Sequence, residues 1–335
     1  MTTQQSTFPH RRAGHCGSGA LRDLLEFHRL DYGNGPLSEG TVFGLAGGLG
    51  FFYVENTAFR PPFYLVGRTA DLERDIATNL EMGLDVRETD DSAEGWSWVL
   101  DALAAGRPPM VWADIAELEY LRVKMSNTRH DIVVVSHDPV TGVAWIADND
   151  REELQPCSLE SLAAARTSIG FPGPNRNTTF VYDWPDQLPD PRTAFERALR
   201  RAIENMTSNA ASVGGLHGGS GLAGVDAFAA GYGEWPTTFG DRLDSALSGL
   251  RVFIVKAGTA GAMFRSLHAG FFREFAQLLG DAEVVALAEH YEELSTAWIN
   301  LAECAGHGAH DDGLSFVESI RDLEHRGVKL MEQAL

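Results

Sequence analysis

Cysteine, basic charge and long apolar runs are all scarce in this sequence. Its three cysteines, Cys16, Cys157 and Cys304, cannot all pair and do not form a disulfide framework, so the chain is expected to be cytoplasmic. Lys and Arg number 27 against 47 Asp and Glu, a formal net charge of −20. That balance argues against nucleic acid as a partner, because phosphate binding needs a basic footprint, and it disfavours an anionic membrane surface for the same reason. No segment approaches the apolar length of a bilayer span, and Met1 to Thr7 is polar, without the apolar core of a signal peptide.

Three letter matches lack the context their chemistry needs. The glycines from Gly44 to Gly50 are not followed by Lys-Ser/Thr, so they do not read as a phosphate loop. Gly219-Ser220-Gly221-Leu222-Ala223-Gly224 fits Gly-x-Gly-x-x-Gly, but no strand is expected before it, which removes the dinucleotide fold. Cys304, His307, His310 and Asp311 offer zinc-type donors without a second cluster at finger spacing, so the stretch reads as a polar loop between helices. No bound cofactor or metal is expected.

What the chain does have is length and a change of pattern. Its 335 residues suggest two domains, each able to bury a core. In the first part, helical periods at Leu21 to His28, Leu72 to Leu80, Trp96 to Leu103 and Leu159 to Arg166 alternate with β-rich runs. Those runs are Phe51 to Val54, Phe63 to Val66, Leu84 to Glu88, Pro109 to Ala113, Asp131 to Ser136, Gly142 to Ala147 and Thr179 to Tyr182. After the proline-rich junction from Asp183 to Pro191, the spacing predicts helices over Ala194 to Met206, Gly221 to Gly233, Asp241 to Val255, Ala260 to Leu279, Glu283 to Ala305 and Ser315 to Gln333. The expected domains are therefore an α+β unit over 1–183 and a mainly helical unit over 190–335.

Chemistry gathers in the first of these. Cys16 sits among glycines at the start of a helix, where the helix dipole favours the nucleophilic thiolate. His130 opens one strand of a hairpin and Asp148 closes the other, and a turn centred near Pro139 sets the two side by side. Asp150 is the rival carboxylate and His137 the rival imidazole. A thiol, an imidazole and a carboxylate in that order can deprotonate and reprotonate a nucleophile.

This order resembles the papain-like cysteine peptidase architecture. More narrowly, His-Cys-Gly-Ser-Gly-Ala-Leu at 15–21, Gly-Gly-Leu-Gly-Phe at 47–51 and His-Asp-Ile-Val-Val-Val at 130–135 resemble the butirosin biosynthesis protein H N-terminal family. The stretch from Lys256 to Gly261 with Phe264-Arg265-Ser266-Leu267-His268 resembles the helical domain of unknown function that follows it in that family. The resemblance implies a cysteine acyltransferase of antibiotic biosynthesis that moves an aminoacyl group from an acyl-carrier-protein thioester to a small-molecule amine. Cys16 would carry the acyl group, His130 would act as base and then acid, and Asp148 would orient the imidazole. The related peptidases place a Gln before the cysteine to help hold the oxyanion; this chain has His15 and His10 there instead. Phosphopantetheine enters only as the arm of the carrier. Lys256, Arg265 and Arg273 are candidates to contact that arm or a carboxylate, with Arg265 preferred. Arg11, Arg12, Arg197, Arg200 and Arg201 are candidates to receive an acidic carrier. A cysteine hydrolase with the same acyl-enzyme is the alternative, and a homo-oligomer is compatible with the sequence.

Overall fold

The computed structural model describes residues 8–208, 215–257 and 259–335. In chain order the elements are α1 (Cys16–Phe27), α2 (Glu39–Leu45), β1 (Leu49–Glu55), β2 (Phe63–Arg68), α3 (Leu72–Asn79), β3 (Gly83–Arg87), α4 (Ser92–Ala104), β4 (Met110–Ala113), β5 (His130–Asp138), β6 (Val143–Ala147), β7 (Gln155–Ser158), α5 (Leu159–Thr167) and β8 (Thr179–Asp183). They continue as α6 (Pro191–Thr207), β9 (Gly218–Ser220), α7 (Gly221–Phe239), a 3₁₀ turn (Gly240–Arg242), α8 (Leu243–Val255), α9 (Arg265–Leu279), α10 (Ala282–Gly306) and α11 (His310–Gln333). The chain is thus mixed α/β with a helical C-terminal region. Among the described residues no helix is long and apolar enough to cross a membrane.

Among the described residues, those within 8–39 and 80–188 make one compact unit, and those within 40–79 and 189–335 make the other. Compactness therefore does not follow the contiguous division at 183 and 190 that composition suggested. The segment 40–79 looks like part of an α+β domain by local pattern. Its apolar strand residues, however, pack on helices that come much later in the chain: Phe51 lies 6.3 Å from Phe228 and 5.9 Å from Trp298, and Phe63 lies 4.7 Å from Trp235, ring centre to ring centre.

The first unit is built on a six-stranded sheet in the order β3-β8-β4-β5-β6-β7, with every recorded pairing antiparallel. Val111, Ile132, Val134 and Ile146 of the central strands are fully buried together with Val99 of α4 and Leu162 of α5. The sequence pattern missed β7, whose Gln-Pro-Cys-Ser has little β character; pairing of Ala144 with Cys157 extends the sheet there.

The second unit holds β2-β1-β9 and the long helices. A short strand does precede Gly221, contrary to expectation, but Gly218–Ser220 adds antiparallel to β1, so the βαβ crossover of a dinucleotide site is still missing. At this unit's centre is Arg265, which is 0% exposed and not available to a ligand as expected from sequence. Its Nε donates to Glu324 at 2.7 Å, and its Nη groups donate to the carbonyls of Gly67 at 2.6 Å, Met263 at 2.8 Å and Gly50 at 3.2 Å. Phe51 and Trp298 flank the guanidinium. A Cβ on Gly67 would fall 2.4 Å from Nη1, which explains glycine in that strand. Arg273 is ion-paired with Glu292 on the exposed side of the same helix.

Breaking the Arg265–Glu324 pair leaves an unpaired buried charge, so Arg265→Ala and Glu324→Ala are each expected to lower unfolding free energy by about 3–5 kcal/mol, read from urea midpoints. Arg265→Lys is expected to be nearly as damaging, because an ammonium cannot reproduce the planar fork. A chain ended at Leu188 keeps β1 and β2 but loses β9 and the aromatic helices that cover them. With the apolar faces of β1 and β2 uncovered, it is expected to elute as aggregate on size exclusion.

Candidate active site

Cys16 is the first residue of α1. The helix starts there because His15 is extended and its side chain accepts a hydrogen bond from the Ser18 backbone N–H, taking one of the donors that a helix start leaves over. Glu39 fixes the turn before it, accepting from Gly14 N at 2.9 Å, His15 N at 2.8 Å and Ser18 Oγ at 3.0 Å. Leu21, Leu24 and Leu25, all but fully buried, anchor the rest of the helix. Gly19 is required by close approach: a Cβ there would lie 2.6 Å from that of Ala13. Ala13 in turn donates its N–H to the Asn149 carbonyl at 2.9 Å, tying the segment before the cysteine to the end of the β5–β6 hairpin.

That hairpin brings the imidazole and the carboxylate together by a route other than the one expected. Asp138 pairs with Val143, so the turn is centred beyond Pro139, and continuing this register would set Asp148 on the face opposite His130. An extra residue at Val135 corrects the parity: Val134 pairs with Ile146 and Val133 with Ala147. His130 and Asp148 then share a face diagonally, and His130 Nε2 lies 3.0 Å from Asp148 Oδ2. Arg129 enters this strand in the left-handed conformation, with φ of 57°.

Asp148 is fully buried and has further support. Tyr120 Oη donates to Oδ2 at 2.8 Å, and the Asp150 backbone N–H donates to Oδ1 at 3.1 Å. Asp150 itself is about half exposed and pairs with Arg151 and Arg12. His137 lies far along β5, its ring edge-on to Trp96 at 5.3 Å.

The thiol faces His130 and two further groups. Cys16 and His130 interact side chain to side chain, and because Nε2 is on Asp148, Nδ1 is the nitrogen left for sulfur. Asp131 Oδ2 also lies 3.7 Å from Sγ. Burial alone would raise the Cys16 pKa, but attraction to the His15 ring, then hydrogen bonding to His130 and His15, hold it well below the ordinary thiol value. Burial pulls His130 the other way, yet Asp148 and then Cys16 hold it well above an ordinary imidazole. Asp148, despite its burial, is kept low chiefly by His130. Both directions favour thiolate over thiol at Cys16 and imidazolium over imidazole at His130.

The other cysteines differ. Burial pushes Cys157 up to about 11 and also raises Cys304. Of the two auxiliary histidines, His15 is at the thiol, whereas His10 is held by Asp23, with Nδ1 2.6 Å from Oδ2. Arg22 also binds that carboxylate and reaches the carbonyls of Arg11 and Arg12, so the His10 cluster fastens the N-terminal segment to α1. Tyr120 and Asp131 went unnoticed in the sequence. Tyr120 carries no motif and is brought in by a turn, while Asp131, next to His130, had only its position as a signal.

Because a lowered pKa preserves thiolate as pH falls, alkylation of Cys16 by iodoacetamide is expected to fall much less between pH of about 8 and about 6 than the roughly hundredfold an ordinary thiol loses. In His130→Ala the rate at pH of about 6 is expected to drop at least tenfold, while Asp150→Ala leaves it unchanged; peptide mapping after labelling reads both.

Residues 15–149 match the family described as Butirosin biosynthesis protein H, N-terminal, and residues 160–333 match the Domain of unknown function (DUF4872). No curated protein matches the chain significantly. The two matched segments together span most of the sequence, and the chain belongs to the family in which a butirosin biosynthesis protein H N-terminal domain is followed by this domain of unknown function.

Proposed function

We propose that the protein is a papain-like cysteine acyltransferase that forms an amide in specialised-metabolite biosynthesis, moving an aminoacyl group from an acyl-carrier-protein thioester to an amine through an acyl-Cys16 intermediate. The observation that carries this reading is the row of half-buried Cys16 with buried His130 and Asp148, the thiol pKa lowered and the imidazole pKa raised. The name of the N-terminal family, a biosynthesis protein of an antibiotic, supports the setting.

The chemistry follows from a thiolate and imidazolium pair. The Cys16 thiolate attacks the thioester carbonyl; as the tetrahedral intermediate collapses, the carbon–sulfur bond to the carrier breaks and the leaving thiolate takes the proton from His130. The free amine then attacks the acyl-Cys16 carbonyl, His130 accepts its proton, and the Cys16 thiolate leaves. Thioester and amine become amide and thiol, and the enzyme returns to its starting charge. Asp148 keeps the imidazole oriented and stabilises its charged form, and Tyr120 steadies Asp148. The first N–H groups of α1, those of Cys16 and Gly17, lie where a helix leaves donors unused and would receive the oxyanion beside His15.

Intact-mass measurement with a panel of aminoacyl N-acetylcysteamine thioesters tests the nucleophile. A single acyl adduct is expected on the full-length protein and none on Cys16→Ala; an adduct that persists in that variant overturns the assignment. His130→Ala is expected to slow single-turnover acylation roughly 10²–10⁴-fold, with Asp148→Ala also impaired and Asp150→Ala near wild type. Chasing the adduct with a panel of primary amines, aminoglycosides included, separates transfer from hydrolysis. Amide product supports the transferase, and release of free acid alone in every case makes the protein a hydrolase.

A further inference from the structure

The loops 122–129 and 168–176 stand out because neither contains an acidic residue in a chain of net charge −20. They are laced into one platform. Thr128 donates its backbone N–H to the Phe171 carbonyl at 2.8 Å and its hydroxyl to the Gly173 carbonyl at 2.6 Å, and Arg129 N donates to Asn175 Oδ1 at 2.8 Å. Beneath them, buried Asp114 accepts from Ser126 Oγ and Ser168 Oγ, each at 2.6 Å, so one carboxylate pins both loops. Arg122 and Arg129 bound the first loop in the left-handed conformation, both with φ of 57°, a geometry unfavourable for non-glycine residues that persists only where surroundings enforce it.

On this fixed base the outward side chains are apolar and cationic. Met125 is 69% exposed, Ile169 84% and Phe171 58%, and Val123 is exposed beside them. Arg122, Lys124 and Arg129 are exposed as well, and none of the three forms an ion pair with a carboxylate among the described residues. Arg129 lies over the Trp112 ring and directly precedes His130, so the platform borders the imidazole that faces Cys16. Of the five arginines expected from sequence to greet a carrier, four lie near carboxylates: Arg11 by Glu26, Arg12 by Asp150, Arg200 by Glu196, and Arg201 by Asp75 and Glu204.

Apolar side chains rimmed by uncompensated cations are the complement of an acidic protein surface with an apolar centre. Resting on the reading that Cys16 accepts its acyl group from a carrier, we propose that loops 122–129 and 168–176 form the surface on which an acidic acyl carrier domain docks to present its thioester to Cys16. The apolar residues supply the contact area, and Arg122 and Lys124 supply steering and orientation. Without this platform the strongly negative chain would repel such a partner.

The test uses the full-length protein and a holo acyl carrier protein whose pantetheine arm bears a chloroacetyl group, which alkylates Cys16 whatever acyl group the enzyme prefers. Free chloroacetyl-pantetheine is the control. Wild type is expected to be captured faster by the carrier-borne probe, with a rate that falls as salt rises. The double variant Arg122→Glu/Lys124→Glu is expected to lose about tenfold on the carrier-borne probe, to lose its salt dependence and to keep the wild-type rate with the free probe. Met125→Asp is expected to act in the same direction. Equal rates for wild type and both variants on the carrier-borne probe overturn the proposal. A wild-type dimer that the same variants dissociate overturns it too, by assigning the platform to a second copy of the chain. Failure of the free probe to label Cys16 would instead strike the nucleophile reading on which the proposal stands.

Discussion

The hydrogen bond of 3.0 Å between His130 and the fully buried Asp148 is the contact on which the arrangement around Cys16 depends. A carboxylate buried without partners would be neutral or destabilising; here it has an imidazole, a phenol and a backbone N–H around it. The Asp148 carboxylate raises the pKa of His130, and at Cys16 the His15 ring, then hydrogen bonding to His130, lowers that of the thiol. The three ionisations support one another, and removing any one leaves the other charges in an environment that disfavours them.

Geometry gives this network its place. The helix that carries Cys16 is held at its first turn by Glu39, which takes three donors from residues 14 to 18, and by the His15 cap. The sheet that carries His130 is held at the other side by the Ala13 to Asn149 bond, one residue from Asp148. Cys16 and His130 are therefore fixed by backbone groups as much as by side chains, which is how such a cluster keeps its distances.

A different buried ion pair organises the second unit. Arg265 gathers three carbonyls and Glu324 into one cluster among aromatic rings, linking β1, β2, α9 and α11. Apolar patterning identifies those elements but cannot say that their centre is charged. The left-handed backbone at Ala260, Met263 and Phe264, immediately before Arg265, is the local adjustment that delivers the guanidinium to that position.

By itself the sequence determined the helices, most of the strands and the setting of Cys16, because periodicity, capping residues and glycine placement are local properties. Cys16 at a helix start and the His130 to Asp148 hairpin needed no distant contact to be recognised. What only the tertiary structure decided depended on contacts between residues far apart in the chain. The bulge at Val135 sets which face Asp148 occupies; the burial of Arg265 turns a candidate ligand contact into a core group; and His10 is taken up by Asp23 rather than by the thiol. Segment 40–79 joins the later helices because apolar rings are buried wherever complementary surface exists, and that surface is supplied by residues more than a hundred positions away, which no local pattern reports.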